Sequence, residues 1–218
     1  MSGEAKPCQI PIHIPIHYDF ASSLCYVTHR VMERIAHRFA MDHPEEDPHP
    51  PIVFSWTPLD LAGLLNWRRG GRVPEDRRAN VQRVSADLQV PVRVPPLWLD
   101  SRPVHATALA LEARSDAPAE AAWRERVYSG VFEEGRDCGE PGEAERMAAD
   151  LQLRLDDGEL QAGYDELERR TRAAAQATVT GVPTFMLSHW PMGGIQDDDT
   201  MVKLICRFAR RARERGSA

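Results

Sequence analysis

The six residues Thr180-Gly181-Val182-Pro183-Thr184-Phe185 constrain this chain more than any other stretch. They break a long run of helical patterning and open a short apolar strand, Thr184 to Leu187, so β structure returns close to the C-terminal end. Far upstream, Ile10 to Phe20 reads as a strand entered from a loose N-terminal tail. Ser22-Ser23 then introduces an amphipathic helix to about Phe39, with Val27, Val31, Ile35 and Phe39 at helical spacing and a serine suited to its N-cap. A second short strand, Ile52 to Trp56, is ended by Thr57-Pro58. From Leu59 the pattern turns helical: Leu59 to Leu65, Glu75 to Leu88, Thr107 to Ala113, Ala119 to Glu134, Glu143 to Leu155 and Gly158 to about Thr178, separated by proline and glycine clusters. Beyond the Val182-Pro183 loop, Pro183 to Leu187 and Met192 to Ile195 are expected to pair antiparallel, and Met201 to Arg215 to form a closing helix.

Composition narrows the function class. A length of 218 residues, 42% of them hydrophobic and 28% charged, suits a globular protein with a sizeable core. No apolar run approaches the roughly 18 residues of a membrane span, and Met1 to Gln9 lacks the basic and apolar regions of a secretory signal, so a cytoplasmic location is expected. A net charge of −6 argues against a nucleic-acid surface, since phosphate binding needs clustered positive charge. The basic run Arg207 to Arg215 reads as a solvated helix face. The four cysteines, Cys8, Cys25, Cys138 and Cys206, form no C-x-x-C pair, so neither a zinc site nor a dithiol redox pair can be written from them. His43 and His49 stand in a proline-rich connector, and His13 and His17 share one face of the first strand as partly buried residues; no metal is expected.

Strand, helix, strand is half a thioredoxin fold, and the whole layout, with a helical block before a hairpin and helix, resembles the DsbA superfamily. That group includes the FrnE-like proteins, the 2-hydroxychromene-2-carboxylate isomerases and the kappa-class glutathione transferases. Four phrases carry the likeness in order: Tyr18-Asp19-Phe20 just before the first helix, Pro103-Val104-His105-Ala106, Phe132-Glu133-Glu134-Gly135-Arg136-Asp137, and Gly181 to Phe185. The resemblance implies an α/β chain whose thioredoxin-like domain comprises residues 1–58 and 179–218, with residues 59–178 inserted as a helical domain. It also implies a cis peptide at Val182-Pro183, a rare tight-turn device that would leave a backbone edge for an extended thiol peptide.

With Asp19 in register, the tetrad where dithiol relatives carry C-x-x-C is Ser22-Ser23-Leu24-Cys25. A serine at the first position removes the attacking thiolate that disulfide exchange requires. Cys25 holds the interior position, where a lone thiol is either a small buried hydrophobe or a reactive monothiol. The resemblance to the isomerase and kappa branch assigns Ser22 a different task, holding the sulfur of bound glutathione as a thiolate. A hydrogen bond to a charged group contributes roughly 1.5–3 kcal/mol and a helix N-terminus about 0.3–1. At about 1.4 kcal/mol per pKa unit, the two could bring a thiol from about 8.5 to roughly 6–7. Capping alone would also account for a serine at this place. The same resemblance gives Val182 and Pro183 the alignment of the peptide, and Gln196 with Asp197 its γ-glutamyl end, although the Asp197-Asp198-Asp199 run also suits a first helical turn. Two polar anchors of the transferases are replaced, by Gly71 and Asn80, and Arg72 or Arg78 is a candidate substitute. Ser23 and Leu24 replace the usual proline and aromatic. Trp56, Leu64, Trp67 and Trp98 are candidate walls for a small hydrophobic or aromatic substrate.

The leading expectation is therefore a glutathione-dependent isomerase or transferase. The alternatives are a thiol-disulfide oxidoreductase of DsbA or FrnE type working through the single Cys25, with glutathione or Cys8 as its partner, and a catalytically silent thioredoxin-like binding module. Relatives imply a homodimer; the partner otherwise expected is a small-molecule substrate.

Overall fold

The computed structural model describes residues 12–42, 52–188 and 190–216. The segments that carry Cys8, His43 and His49 lie outside the described residues. A four-stranded sheet runs in the order β2-β1-β3-β4, built from Ile12–Tyr18 (β1), Ile52–Pro58 (β2), Thr184–Leu187 (β3) and Trp190–Gly193 (β4). On β1, Ile14, Ile16 and Tyr18 are buried, whereas His13 is exposed and His17 half-buried, as a strand with one face on the core requires. β1 pairs parallel with β2 from Ile12↔Ile52 to Tyr18↔Pro58, and a parallel pair needs a crossover. Helix α1, Ser23–Asp42, lies in that crossover and buries Val27, Val31 and Ile35 along one side; the side chain of Phe39 is outside the described set.

β1 also pairs antiparallel with β3 through Ile16↔Phe185 and His17↔Thr184, which joins the two ends of the sequence in one sheet. Between them lies the helical block: α2 (Leu61–Leu64), α3 (Glu75–Asp87), α4 (Arg102–Ala113), α5 (Ala117–Ser129), α6 (Glu143–Asp150) and α7 (Asp157–Gln176). A π-helical turn at Gly130–Glu134 continues α5, and α8 (Asp198–Gly216) closes the chain. This is a thioredoxin-like core with a large helical insertion and a C-terminal hairpin and helix.

Several boundaries differ from the expectation: β2 runs on through Thr57-Pro58, which was expected to end it, α2 starts at Leu61 and not Leu59, and α8 starts at Asp198, three residues before Met201. β4 starts at Trp190 and ends at Gly193, so Ile195, expected in the strand, is buried beyond its end. α4 begins at Arg102, five residues before the anticipated Thr107, because Pro103 sits in its first turn where no amide donor is needed. α6 stops at Asp150 instead of Leu155, where Gln152 takes a φ of 58°. The Phe132 to Asp137 phrase holds a turn: Gly135 is left-handed at φ 79°, its amide donates to Gly130 O, and Arg136 pairs with Glu143.

One hydrophobic cluster joins both parts of the chain, with Ile14, Ile16 and Val31 from the sheet and first helix packed with Trp123, Tyr128, Phe132 and Met147 from the helical block. The rings of Tyr18, Phe20 and Tyr128 meet edge to face at centroid distances of 5.1 and 5.3 Å. The buried Trp123 indole donates to Val104 O at 2.9 Å, which ties α5 to α4. Helices α4 and α7 cross at Gly163, where an added Cβ would lie 2.3 Å from Ala106 O.

Candidate active site

The site begins with a buried carboxylate. Asp19 is 1% exposed and its two oxygens organise three segments. Oδ1 accepts from Ala21 N at 2.7 Å and from the Ser101 hydroxyl at 2.6 Å; Oδ2 accepts from Leu61 N at 2.6 Å. The His105 ring, wholly buried, places Nε2 3.4 Å from Oδ1 and 3.3 Å from the Phe20 amide nitrogen. Burial alone would raise the Asp19 pKa, but the contacts with His105, Ser101 and Ala21 outweigh it and hold the carboxyl below the usual aspartate value. The loop from β1 into α1 is thus pinned to the starts of α2 and α4.

That loop delivers Ser22 as the N-cap of α1. Its carbonyl accepts from Cys25 N at 2.9 Å and Tyr26 N at 3.2 Å, and its Oγ accepts from Cys25 N at 3.4 Å. The capping contact uses a lone pair of the hydroxyl and leaves its proton available to donate. Cys25 itself is fully buried, and burial pushes its thiol up to about 12 even though Ser22 opposes the shift. It therefore has the surroundings of a small buried hydrophobe. Cys138 is likewise buried, and burial raises its thiol too.

The Val182-Pro183 peptide is cis, Pro183 is buried and Val182 half-buried. Pro183 O accepts from Gly194 N at 2.8 Å and Gly181 O from the Thr184 hydroxyl at 2.7 Å, which hold the loop on both sides. Between them, the Val182 N–H and C=O take no hydrogen-bond partner among the described residues. Val182, Ala21, Ser22, Ser23 and Leu24 line one open cavity of about 330 Å³. Leu61, Val73, Val81, Val94, Pro95 and Leu97 supply apolar wall. Trp67 and Trp98 stack on each other there at 4.3 Å between ring centroids, and the Arg77 guanidinium lies 4.4 Å over the Trp67 ring.

Of the expected site residues, the cavity brings together Ser22 and Val182 with the walls Trp67 and Trp98. Trp56 lies instead against Tyr18 and His29 in the core, and Leu64 belongs to a separate apolar cluster with Leu59, Leu61 and Val179. Gln196 and Asp197 are exposed at the start of α8 and do not line the cavity. Asp197 caps that helix, accepting from Thr200 N at 3.0 Å and from its hydroxyl at 2.7 Å, while Asp198 takes a two-pronged contact from Arg34 at 3.0 and 2.7 Å. Arg77 is the basic residue at the cavity, in place of Arg72 or Arg78. Among the described residues, His29, Glu33 and Glu125 carry ligand atoms within 4.8 Å of one another. Arg30 donates to both of those carboxylates, at 3.0 Å to Glu33 and 2.8 Å to Glu125, so a guanidinium already supplies their positive charge.

A model of the DSBA-like thioredoxin domain family matches residues 13–205. The chain belongs to that family. No sequence among the curated proteins compared with it matches. Among solved structures, this DsbA-like chain is similar to a 2-hydroxychromene-2-carboxylate isomerase at 19% identity and a TM-score of 0.62, covering 94% of this chain and 98% of that one. A probable DsbA oxidoreductase from Streptomyces coelicolor is similar at 17% identity and a TM-score of 0.64, with 90% and 89% covered. The cytosolic disulfide reductase DsbM from Pseudomonas aeruginosa, solved with GSH, is similar at 16% identity and a TM-score of 0.55, with 95% and 100% covered. At these identities the likeness is one of DsbA-like fold.

Reading the sequence for the cavity missed the face of α3 that lines it. Asp76, Arg77, Asn80 and Val81 recur at the spacing of one helix face, and Val73 lines the cavity just before the helix starts, whereas Arg78 pairs with Glu75 at 3.3 Å. It also missed that Asp19, used only to set the register, is the joint of the whole site.

Proposed function

We propose that this DsbA-like protein is a glutathione-dependent isomerase or transferase acting on a small hydrophobic or aromatic substrate. The observation that carries the reading is the unpaired Val182 backbone, which lines the same cavity as the Ser22 hydroxyl at the start of α1. An extended thiol peptide is the ligand whose chemistry uses both, backbone to backbone and sulfur to hydroxyl.

The residues present fit that ligand. The Val182 N–H and C=O would pair with the cysteinyl unit of the peptide, and buried Pro183 fixes their direction. Ser22 would donate its hydroxyl proton to the sulfur while still capping α1, and the partial positive charge of the helix start would favour the anionic form. Together these effects amount to roughly 2–4 kcal/mol, enough to bring a thiol of about 8.5 to roughly 6–7. Gly194 is bonded to Pro183, so Gln196 and Asp197 follow closely behind the loop and would receive the amino-acid end outside the cavity. Bound glutathione would supply a sulfur nucleophile that adds to an electron-poor carbon and, in an isomerisation, departs with the same electron pair after bond rotation. The Trp67 and Trp98 faces would hold a flat apolar substrate beside it.

Disulfide exchange through Cys25 is disfavoured by the burial that keeps its thiol protonated. Calorimetric titration with glutathione tests the reading: saturable binding at millimolar concentration or tighter is expected, and no heat at that concentration would overturn it in favour of a silent module.

A further inference from the structure

Ser23 has no task in the chemistry just described, yet its setting is unusual. It is 8% exposed, follows the N-cap of α1, and lines the same cavity as Ser22 and Val182. The buried serines among the described residues are Ser22, Ser23, Ser85 and Ser101. Ser22 accepts from Cys25 N, Ser85 donates to Val90 O, and Ser101 donates to Asp19. The Ser23 hydroxyl makes no hydrogen bond among the described residues, and neither does its backbone N–H. Little of the Ser23 residue is exposed, yet its hydroxyl is not sealed from solvent: it opens on the cavity, which also carries Ser22, Asp76, Arg77 and Asn80 beside its apolar wall. With no partner from the protein, this hydroxyl is free to donate to whatever occupies the cavity, water or ligand.

We infer that Ser23 is a second hydroxyl donor to the sulfur anion of the bound thiol, forming with Ser22 and the open amides of the first turn of α1 a cradle for one thiolate. The inference rests on the glutathione reading above. A thiolate is large and acceptor-only, so it can take several donors at once, and each charge-assisted donor favours the ionised form further. The serine matters here because the residue that resemblance leads one to expect at this position, proline, offers neither a hydroxyl nor an amide donor.

The test is a pH titration of thiolate ultraviolet absorbance with the full-length protein and saturating glutathione, in the parent and in Ser22→Ala, Ser23→Ala, Ser23→Thr and Ser23→Pro. Proline is accommodated at the first helical position, so Ser23→Pro keeps the fold while removing both donors. Ser23→Ala is expected to raise the apparent pKa of the bound thiol by about one pH unit. Ser23→Thr should restore it, and Ser23→Pro should raise it at least as far as alanine. Affinity for S-methylglutathione, which has no thiol to ionise, should change little in all of them. A bound-thiol pKa that moves in Ser22→Ala but not in Ser23→Ala would overturn this assignment and leave the glutathione reading standing. Absence of glutathione binding to the parent protein would instead overturn that reading and this inference with it.

Discussion

Asp19 is the residue on which the site depends. It satisfies two backbone amides and the Ser101 hydroxyl in a place from which water is excluded. Asp19→Ala should lower stability by about 3 kcal/mol, since it strands three buried donors, and chemical denaturation would show it as a fall in midpoint. An unchanged midpoint would contradict the network. The pH dependence has a definite sign. The folded-state pKa lies below the ordinary value of 3.8, so the contribution is complete above that pH and is lost as pH falls through the lower folded value. Parent and Asp19→Asn stabilities should therefore converge in acid. At Cys25, whose thiol is pushed up to about 12, alkylation at mild alkaline pH should proceed only as fast as the protein opens, whereas exposed Cys206 reacts at once. Peptide mapping by mass spectrometry would read both rates, and equal rates would restore Cys25 as a candidate reactive thiol. Ser22 was legible in the sequence because its distance from Asp19 sets a register. Ser23 was not, because a hydroxyl without a partner has no signature until the surrounding walls are known.

Among the elements, the helices of the insertion were readable where apolar spacing ran unbroken, as in α7, whose start also carries an Asp156–Glu159 capping box. Proline and glycine account for some of the misplaced boundaries, as at Pro103 in the first turn of α4 and Gly135 after the π-helical turn, whereas α6 ends before Gln152, a non-glycine residue at positive φ. The strand expected from Met192 in fact includes Pro191, which is tolerated because β4 lies at the sheet edge, where a residue without an amide donor does not interrupt the ladder. Close approach of α4 and α7 was not legible at all, since Gly163 looks like any glycine in a helix. Gly163→Ala should nevertheless cost about 1–3 kcal/mol, because the new methyl would press on the Ala106 backbone and the helices would have to separate. Thermal unfolding measures it, and a stabilised variant, the usual result of glycine to alanine in a helix, would show that the crossing is looser than described. The α3 face belongs to this scale as well: Arg77 and Trp67 form one wall unit, so Trp67→Ala should weaken binding of flat apolar ligands several-fold without altering glutathione ionisation.

For the molecule as a whole, the sheet is closed by strands from the two ends of the chain, and the helical block shares their core. This arrangement brings phrases from distant segments of the chain to one cavity. Asp19 directly follows β1, α4 supplies His105, Ser101 at the start of α4 donates to Asp19, α3 and the loop to α4 wall the cavity, and Val182 of the cis peptide before β3 lines it together with Ser22. No described helix is long and apolar enough to cross a membrane. If the cavity holds a thiol peptide as its thiolate, glutathione binding at neutral pH expels between about half and nine-tenths of a proton per site. Calorimetric titration at pH 7 in two buffers of different ionisation enthalpy measures that number directly. Release of about half to nine-tenths of a proton, greatly reduced in Ser22→Ala, is the result expected from a bound-thiol pKa of roughly 6–7; binding with no proton release, or no binding at all, would show that the cavity does not hold the thiolate.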